Sequence, residues 1–280
     1  MTRRLLLFTF ALCGFAAAQQ PPGLLVDSGG YRLHLYCTGV GNPVVMIIGG
    51  FSFDWALVQP GIAKQTRVCT YDASGNAWSD PGPEPTCRNR VHEIHAVLHN
   101  GKIEGPYVLV GFSTGALFAR MYARDYPDEV GGLILIDHAY IPPARAAAVA
   151  LTQEGPDSPP AVLYAAPIEI GIEDEPGIDK LPAAARELHR WAMSRDPELP
   201  TAELAAQCSA EIGNASLGDV PLVVVSTAND APGYAELQKS LLALSHRSSQ
   251  LIAAQSFHSI EISQPEIIIQ AIRRVIEATR

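Results

Sequence analysis

Positive charge is scarce in this chain: 20 Lys and Arg stand against 29 Asp and Glu, a formal net charge of −9. Without a basic excess there is no face to neutralise phosphates, so nucleic acid is excluded as a partner. Aromatic residues make up only 7% and charged residues 18%, while the hydrophobic share reaches 48%. At 280 residues, such a chain can bury a full core, and disorder is excluded. Low-complexity tracts and internal repeats are absent. Long apolar runs are missing as well: beyond residue 18 no segment could cross a membrane, so no stable membrane span is expected.

The start of the chain has a different character. Arg3 and Arg4 precede an apolar run, Leu5 to Ala18, that closes on Ala16-Ala17-Ala18 before Gln19. That order of charge, apolar run and small residues predicts a signal peptide over 1–18 and an exported protein, periplasmic or extracellular. About 14 apolar residues are too few for a membrane anchor. Lipoprotein processing at Cys13 is disfavoured by the bulky Leu12 before it. Removal of that segment leaves Cys37, Cys69, Cys87 and Cys208, an even number for an oxidising compartment, with three possible pairings.

Apolar runs that read as strands recur at Tyr31–Cys37, Pro43–Ile48, Arg67–Tyr71, Tyr107–Val110, Gly132–Ile136, Leu222–Ser226 and Gln250–Ala254. Helical patterns alternate with them, among them Thr114 to about Tyr126 and a C-terminal helix whose Ser263 and Glu266 have capping-box spacing. The alternation predicts an α/β fold: a mostly parallel, twisted sheet with helices on both faces. About 80 residues between Asp137 and Pro221 break the rhythm and are too many for a loop. They predict a helical cap over 139–218, inserted into a core formed by 19–138 and 219–280.

Gly111-Phe112-Ser113-Thr114-Gly115 lies between a strand and a helix. A serine on that sharp turn presents its hydroxyl above the sheet, and the flanking glycines avoid collision with neighbouring backbone. The following helix directs its amide ends at the same point, where negative charge can develop. Ser113 is therefore the candidate nucleophile. His258, after the last strand, is the candidate base. For the acid that orients it, Asp230 beyond Leu222–Ser226 is favoured, with Asp137 beyond Gly132–Ile136 as the alternative. His92, His95 and His99 could share one helical face, but a solvated or half-buried face is the simpler account, and no metal is assigned.

These residues and several flanking stretches carry a resemblance. Tyr71-Asp72 through Trp78-Ser79-Asp80-Pro81-Gly82, then Gly105 through Gly111, Tyr122 through Pro127, and Gln264-Pro265-Glu266 resemble the α/β-hydrolase superfamily. The similarity is strongest to its exported, esterase-like branch with a helical cap. The resemblance implies a Ser-Asp-His triad at Ser113, Asp230 and His258, since the family's acid most often follows the penultimate strand. It also implies an oxyanion hole from the backbone N–H groups of Phe51 and Thr114. The sequence departs from the family pattern at Gly49-Gly50, where the family has His-Gly, at Phe112, and across Ala73–Ala77. The expected function is a serine hydrolase (carboxylesterase-like) that cleaves an ester or related acyl bond of a small-molecule substrate through an acyl-enzyme, without a cofactor. Lyase, perhydrolase or acyltransferase chemistry on the same fold, or a non-catalytic binding protein, are the alternatives.

Overall fold

Buried β-branched runs set the sheet. The structure is a computed structural model that describes residues 21–138, 177–228 and 233–279. The segments 1–20, 139–176 and 229–232 lie outside the described residues, and with them the predicted signal peptide, half of the predicted cap and Asp230.

Eight strands form one sheet: β1 (Leu24–Asp27), β2 (Arg32–Thr38), β3 (Val44–Ile48), β4 (Val68–Tyr71), β5 (Tyr107–Phe112), β6 (Val130–Ile136), β7 (Leu222–Thr227) and β8 (Ser248–Ala253). Their spatial order is β1-β2-β4-β3-β5-β6-β7-β8. Among the described strands β2 alone runs against the others, pairing antiparallel with both β1 and β4; the β4–β3, β3–β5, β5–β6, β6–β7 and β7–β8 pairs are parallel. The chain therefore has the parallel α/β architecture that the alternating pattern predicts. All seven strands read from sequence are present, and β1 is an additional one.

The central strands are buried on both faces, which explains why β3, β5 and β7 read as unbroken apolar runs. Alternate residues serve opposite layers. Val44, Met46 and Ile48 of β3 face α2 (Cys87–Asn100) and α3 (Gly115–Asp125). Val45 and Ile47 face the other layer, which holds Ile62 of α1 (Gln59–Ala63) and the C-terminal helix.

Two helices of the predicted cap are described: α4 (Ala183–Met193) and α5 (Ala202–Ile212). They pack differently. Leu204, Ala205, Cys208 and Ile212 of α5 join the same core as α2 and α3. Ala185 and Ala192 of α4 instead pack with Phe51 and Phe53, next to the carboxyl end of β3. Two disulfides complete the framework, Cys37–Cys69 between β2 and β4 and Cys87–Cys208 between α2 and α5.

Beyond β7, α6 (Tyr234–Ser240) leads towards β8, and α7 (Ile260–Ser263) and α8 (Pro265–Ala278) follow it. Helix α8 buries Ile268, Ala271, Ile272, Val275 and Ile276, one stripe at helical spacing. Its start corrects the capping-box expectation. Pro265 opens the helix and Gln264 is its N-cap, while the Ser263 hydroxyl turns back to Ser256 Oγ at 2.7 Å and the Ser259 carbonyl at 3.0 Å. Ser263 thus ends the preceding short helix.

Candidate active site

Parallel strands direct their carboxyl ends to one edge of the sheet, and the loops leaving that edge can converge. Here the ends of β3, β5, β6 and β8 bring Gly49–Ser52, Ser113, Asp137 and His258 to the same edge.

Ser113 sits between β5 and α3 with φ of 54°, a left-handed conformation that is strained for a side-chain-bearing residue. Its N–H donates to the Ile136 carbonyl of β6 at 2.9 Å, which pins the turn to the neighbouring strand. The flanking glycines have a steric cause. A Cβ at Gly111 would meet Ala116 Cα at 2.5 Å, and one at Gly115 would meet the Ile48 carbonyl oxygen at 2.3 Å. Any larger residue would push β5, α3 and β3 apart. Thr114 is the N-cap residue of α3, so the positive end of that helix faces the turn.

His258 lies in the loop after β8, and its ring packs on Phe112 with centroids 4.7 Å apart. Its Nδ1 is 2.5 Å from Asp137 Oδ2. Asp137 directly follows β6, is buried, and has φ of 41°. Its N–H donates to the Val225 carbonyl at 2.7 Å. Among the described residues the carboxylate against His258 is the alternative, Asp137; Asp230, favoured from sequence, lies outside them.

The second oxygen of Asp137 has a partner that the sequence did not signal. The Tyr234 hydroxyl donates to Asp137 Oδ1 and accepts from the Thr227 N–H at 3.3 Å and the Thr227 hydroxyl at 3.2 Å. Burial, reinforced by the Asp137 charge, raises the Tyr234 pKa, so the phenol keeps its proton and stays a donor. Beside Asp137, His138 is fully buried, and its Nε2 lies 3.3 Å from Arg120 Nη1. Desolvation, with the Arg120 charge adding, lowers the His138 pKa well below the ordinary value. The imidazole is therefore neutral and accepts from the guanidinium.

The loop after β3 is braced from two sides. Gly49 has φ of 109°, and a Cβ there would lie 2.6 Å from the Phe112 carbonyl oxygen. This accounts for glycine in place of the family's histidine. The Phe51 N–H donates to Asp54 Oδ2 at 2.9 Å, and Asp54 Oδ1 pairs with His189 Nδ1 of α4 at 2.8 Å. The Ser52 N–H donates to Asp72 Oδ1 at 2.8 Å, and Asp72 Oδ2 meets the buried His34 Nδ1 at 2.8 Å. Phe51, one of the two expected oxyanion donors, thus has its amide held by a carboxylate; the Asp54 bracket was not legible from sequence.

An aromatic wall adjoins this loop. Phe51 packs on Phe53 and meets His189 edge-on, both at 5.3 Å; Phe53 meets Trp78 edge-on at 5.5 Å, and Trp78 packs on Trp191 of α4 at 5.5 Å. Below it, the Ala73–Ala77 segment is held through Ser74. The Ser74 hydroxyl donates to the buried Glu93 at 2.5 Å and accepts from Arg90 Nη1 at 2.9 Å.

Residues 42–159 match the family model described as the alpha/beta hydrolase fold. An uncharacterized protein of Schizosaccharomyces pombe is 32% identical over 81 residues, which cover 29% of this chain and 15% of that protein. The 2-hydroxymuconate semialdehyde hydrolase of Pseudomonas sp. is 31% identical over 131 residues, covering 44% of this chain and 46% of that enzyme. The chain therefore spans less than half the length of either curated relative. Among solved structures, a thermophilic esterase from Thermogutta terrifontis superposes with a TM-score of 0.66 at 23% identity, covering 94% of this chain and 99% of the esterase.

Proposed function

We propose that this chain, which has the alpha/beta hydrolase fold, is a serine hydrolase of the α/β-hydrolase superfamily acting on an ester or related acyl bond of a small molecule. The observation that carries this reading is Ser113 held at positive φ on the carboxyl edge, with His258 packed on the adjoining Phe112 and paired with the buried Asp137.

Ser113 Oγ attacks the acyl carbon as His258 Nε2 takes its proton. Nδ1 faces Asp137, which leaves Nε2 for proton transfer, and the Asp137 charge stabilises the imidazolium that forms. The oxyanion is held by the Thr114 N–H at the start of α3. Collapse expels the alcohol, which receives the proton from His258. Water then attacks the acyl-enzyme with His258 again as base, releasing the acid and free Ser113.

Phe51 is the second oxyanion donor in this reading, and Asp54 controls it. The carboxylate competes with the oxyanion for one N–H, so its release from the amide completes the hole. Asp54→Asn keeps an oxygen near the amide while removing the opposing charge, and kcat is expected to rise several-fold.

Residues 139–218 supply the substrate-covering cap in this reading, and of their described helices α4 packs on the loop after β3, through Ala185 and Ala192 against Phe51 and Phe53. The two disulfides suit an oxidising compartment, in keeping with export. Labelling with a fluorophosphonate probe, read by mass spectrometry, tests the core of the proposal. Modification is expected at Ser113 and loss of p-nitrophenyl ester hydrolysis in Ser113→Ala. An unlabelled Ser113, or full activity in the variant, would overturn it.

A further inference from the structure

At the amino edge of the sheet, opposite the candidate active site, two imidazoles and a carboxylate converge. His95 and His99 lie one turn apart on α2, so both project from the same side of the helix. Glu129 ends the short turn Pro127–Glu129 that leads into β6. Its Oε1 is 3.1 Å from His99 Nε2 and 3.9 Å from His95 Nε2. One ligand atom from each of the three residues falls within a sphere in which no pair is more than 4.8 Å apart.

We propose that His95, His99 and Glu129 form a three-ligand site for a divalent transition-metal ion of the zinc type, clamping α2 to the turn that enters β6. The donor set selects the ion class. Two imidazoles with one carboxylate suit zinc, copper or nickel, whereas calcium and magnesium take oxygen ligands. Tetrahedral bonds of about 2.0–2.1 Å place neighbouring ligand atoms roughly 3.4 Å apart. The 3.1 and 3.9 Å separations bracket that spacing, and rotation of the exposed His99 ring out of its stack on His95 brings both ring planes onto one ion.

The surroundings hold the carboxylate ligand as a metal site requires. The buried Tyr122 donates its hydroxyl to Glu129 Oε2, which holds the carboxylate and turns Oε1 towards the histidines. His95 is sandwiched between His99, 4.1 Å away, and Tyr126, 4.3 Å away, with both neighbouring rings tilted 22° from its plane. A lone ion pair between His99 and Glu129 gives no role to the second imidazole, which stands beyond hydrogen-bond reach of the carboxylate.

His92, the third histidine of the sequence pattern, is exposed; the third ligand comes from the turn before β6. The seven residues of β6 separate Glu129 from Asp137, about 20–25 Å of strand. The ion is therefore a structural clamp and takes no part in acyl chemistry.

Isothermal titration of tag-free, disulfide-intact protein with Zn2+ tests this, with thermal unfolding in parallel. One equivalent is expected to bind at micromolar concentration and to raise Tm by several degrees. His99→Ala and Glu129→Gln should weaken binding about tenfold or more, and Tyr122→Phe by a smaller factor. His99 is exposed enough for its variant to fold, and ester hydrolysis should be unchanged in it. With Cu2+, electron paramagnetic resonance should report two nitrogen ligands in the wild type and one in His99→Ala. Absence of binding by the wild type, or equal affinity in His99→Ala, would overturn the proposal.

Discussion

His258 and Asp137 meet Nδ1 to Oδ2 at 2.5 Å, across 121 residues of sequence. The contact joins the loop after β8 to the end of β6, skipping the strand between them. If Asp137 orients the base, Asp137→Asn presents the wrong hydrogen-bonding group to Nδ1. A loss of kcat of up to about 10⁴-fold is expected from such a change. Asp230→Asn should cost far less. Steady-state kinetics on a p-nitrophenyl ester with both variants decides the assignment, and the reverse ranking would refute it.

Tyr234 is the donor on the other oxygen of that carboxylate. A hydrogen bond to a charged group contributes about 1.5–3 kcal/mol. Tyr234→Phe removes it without changing the ring, so kcat should fall about tenfold or more with KM little altered. An equal loss appearing only in KM would place Tyr234 in substrate binding instead.

The two disulfides should differ in worth. Cys37–Cys69 closes a loop of 32 residues and Cys87–Cys208 one of 121. On the chain-entropy account these constrain the unfolded state by about 4 and about 5 kcal/mol. Paired Cys→Ser replacements should both lower Tm, the Cys87 and Cys208 pair more. Urea denaturation of the two double variants measures the difference, and the opposite order would show that the local β2–β4 link matters more than loop length.

His138 predicts acid sensitivity. Its folded pKa is depressed, chiefly by burial. The unfolded chain takes up the proton below about pH 6.5 while the folded chain does not. Its contribution is thus present above that pH and is lost as pH falls towards the folded value, by up to about 1.4 kcal/mol per pH unit. His138→Gln should flatten the fall in stability between pH 7 and pH 5 relative to wild type. Parallel denaturation curves for the two proteins would remove His138 as the cause.

The strands legible in the sequence were those whose burial on both faces writes continuous apolar runs, such as Val44–Ile48 and Leu222–Thr227. β1 was missed because it is a four-residue edge strand with three exposed positions, too short for a pattern. Gly111 and Gly115 marked the turn at Ser113 because steric exclusion there is local to the sequence. In the sequence Asp137 and Asp230 each come shortly after an apolar strand, so the pattern could not choose between them; the path of the β8 loop brings His258 to Asp137. Tyr234, Asp54 and Glu129 act through contacts with residues distant in sequence or carry common residue types, so no spacing announces them. The disulfide pairing was likewise set by which strands and helices adjoin, β2 with β4 and α2 with α5.

The bridge from Cys87 to Cys208 encloses β6 and most of the interval between β6 and β7. Cleavage of any single peptide bond between residues 138 and 177 would therefore yield two polypeptides that remain one covalent molecule. One piece would carry Ser113 and Asp137, the other His258. Such nicked protein would migrate as a single species until reduced, and its chemistry would then depend on two fragments staying joined.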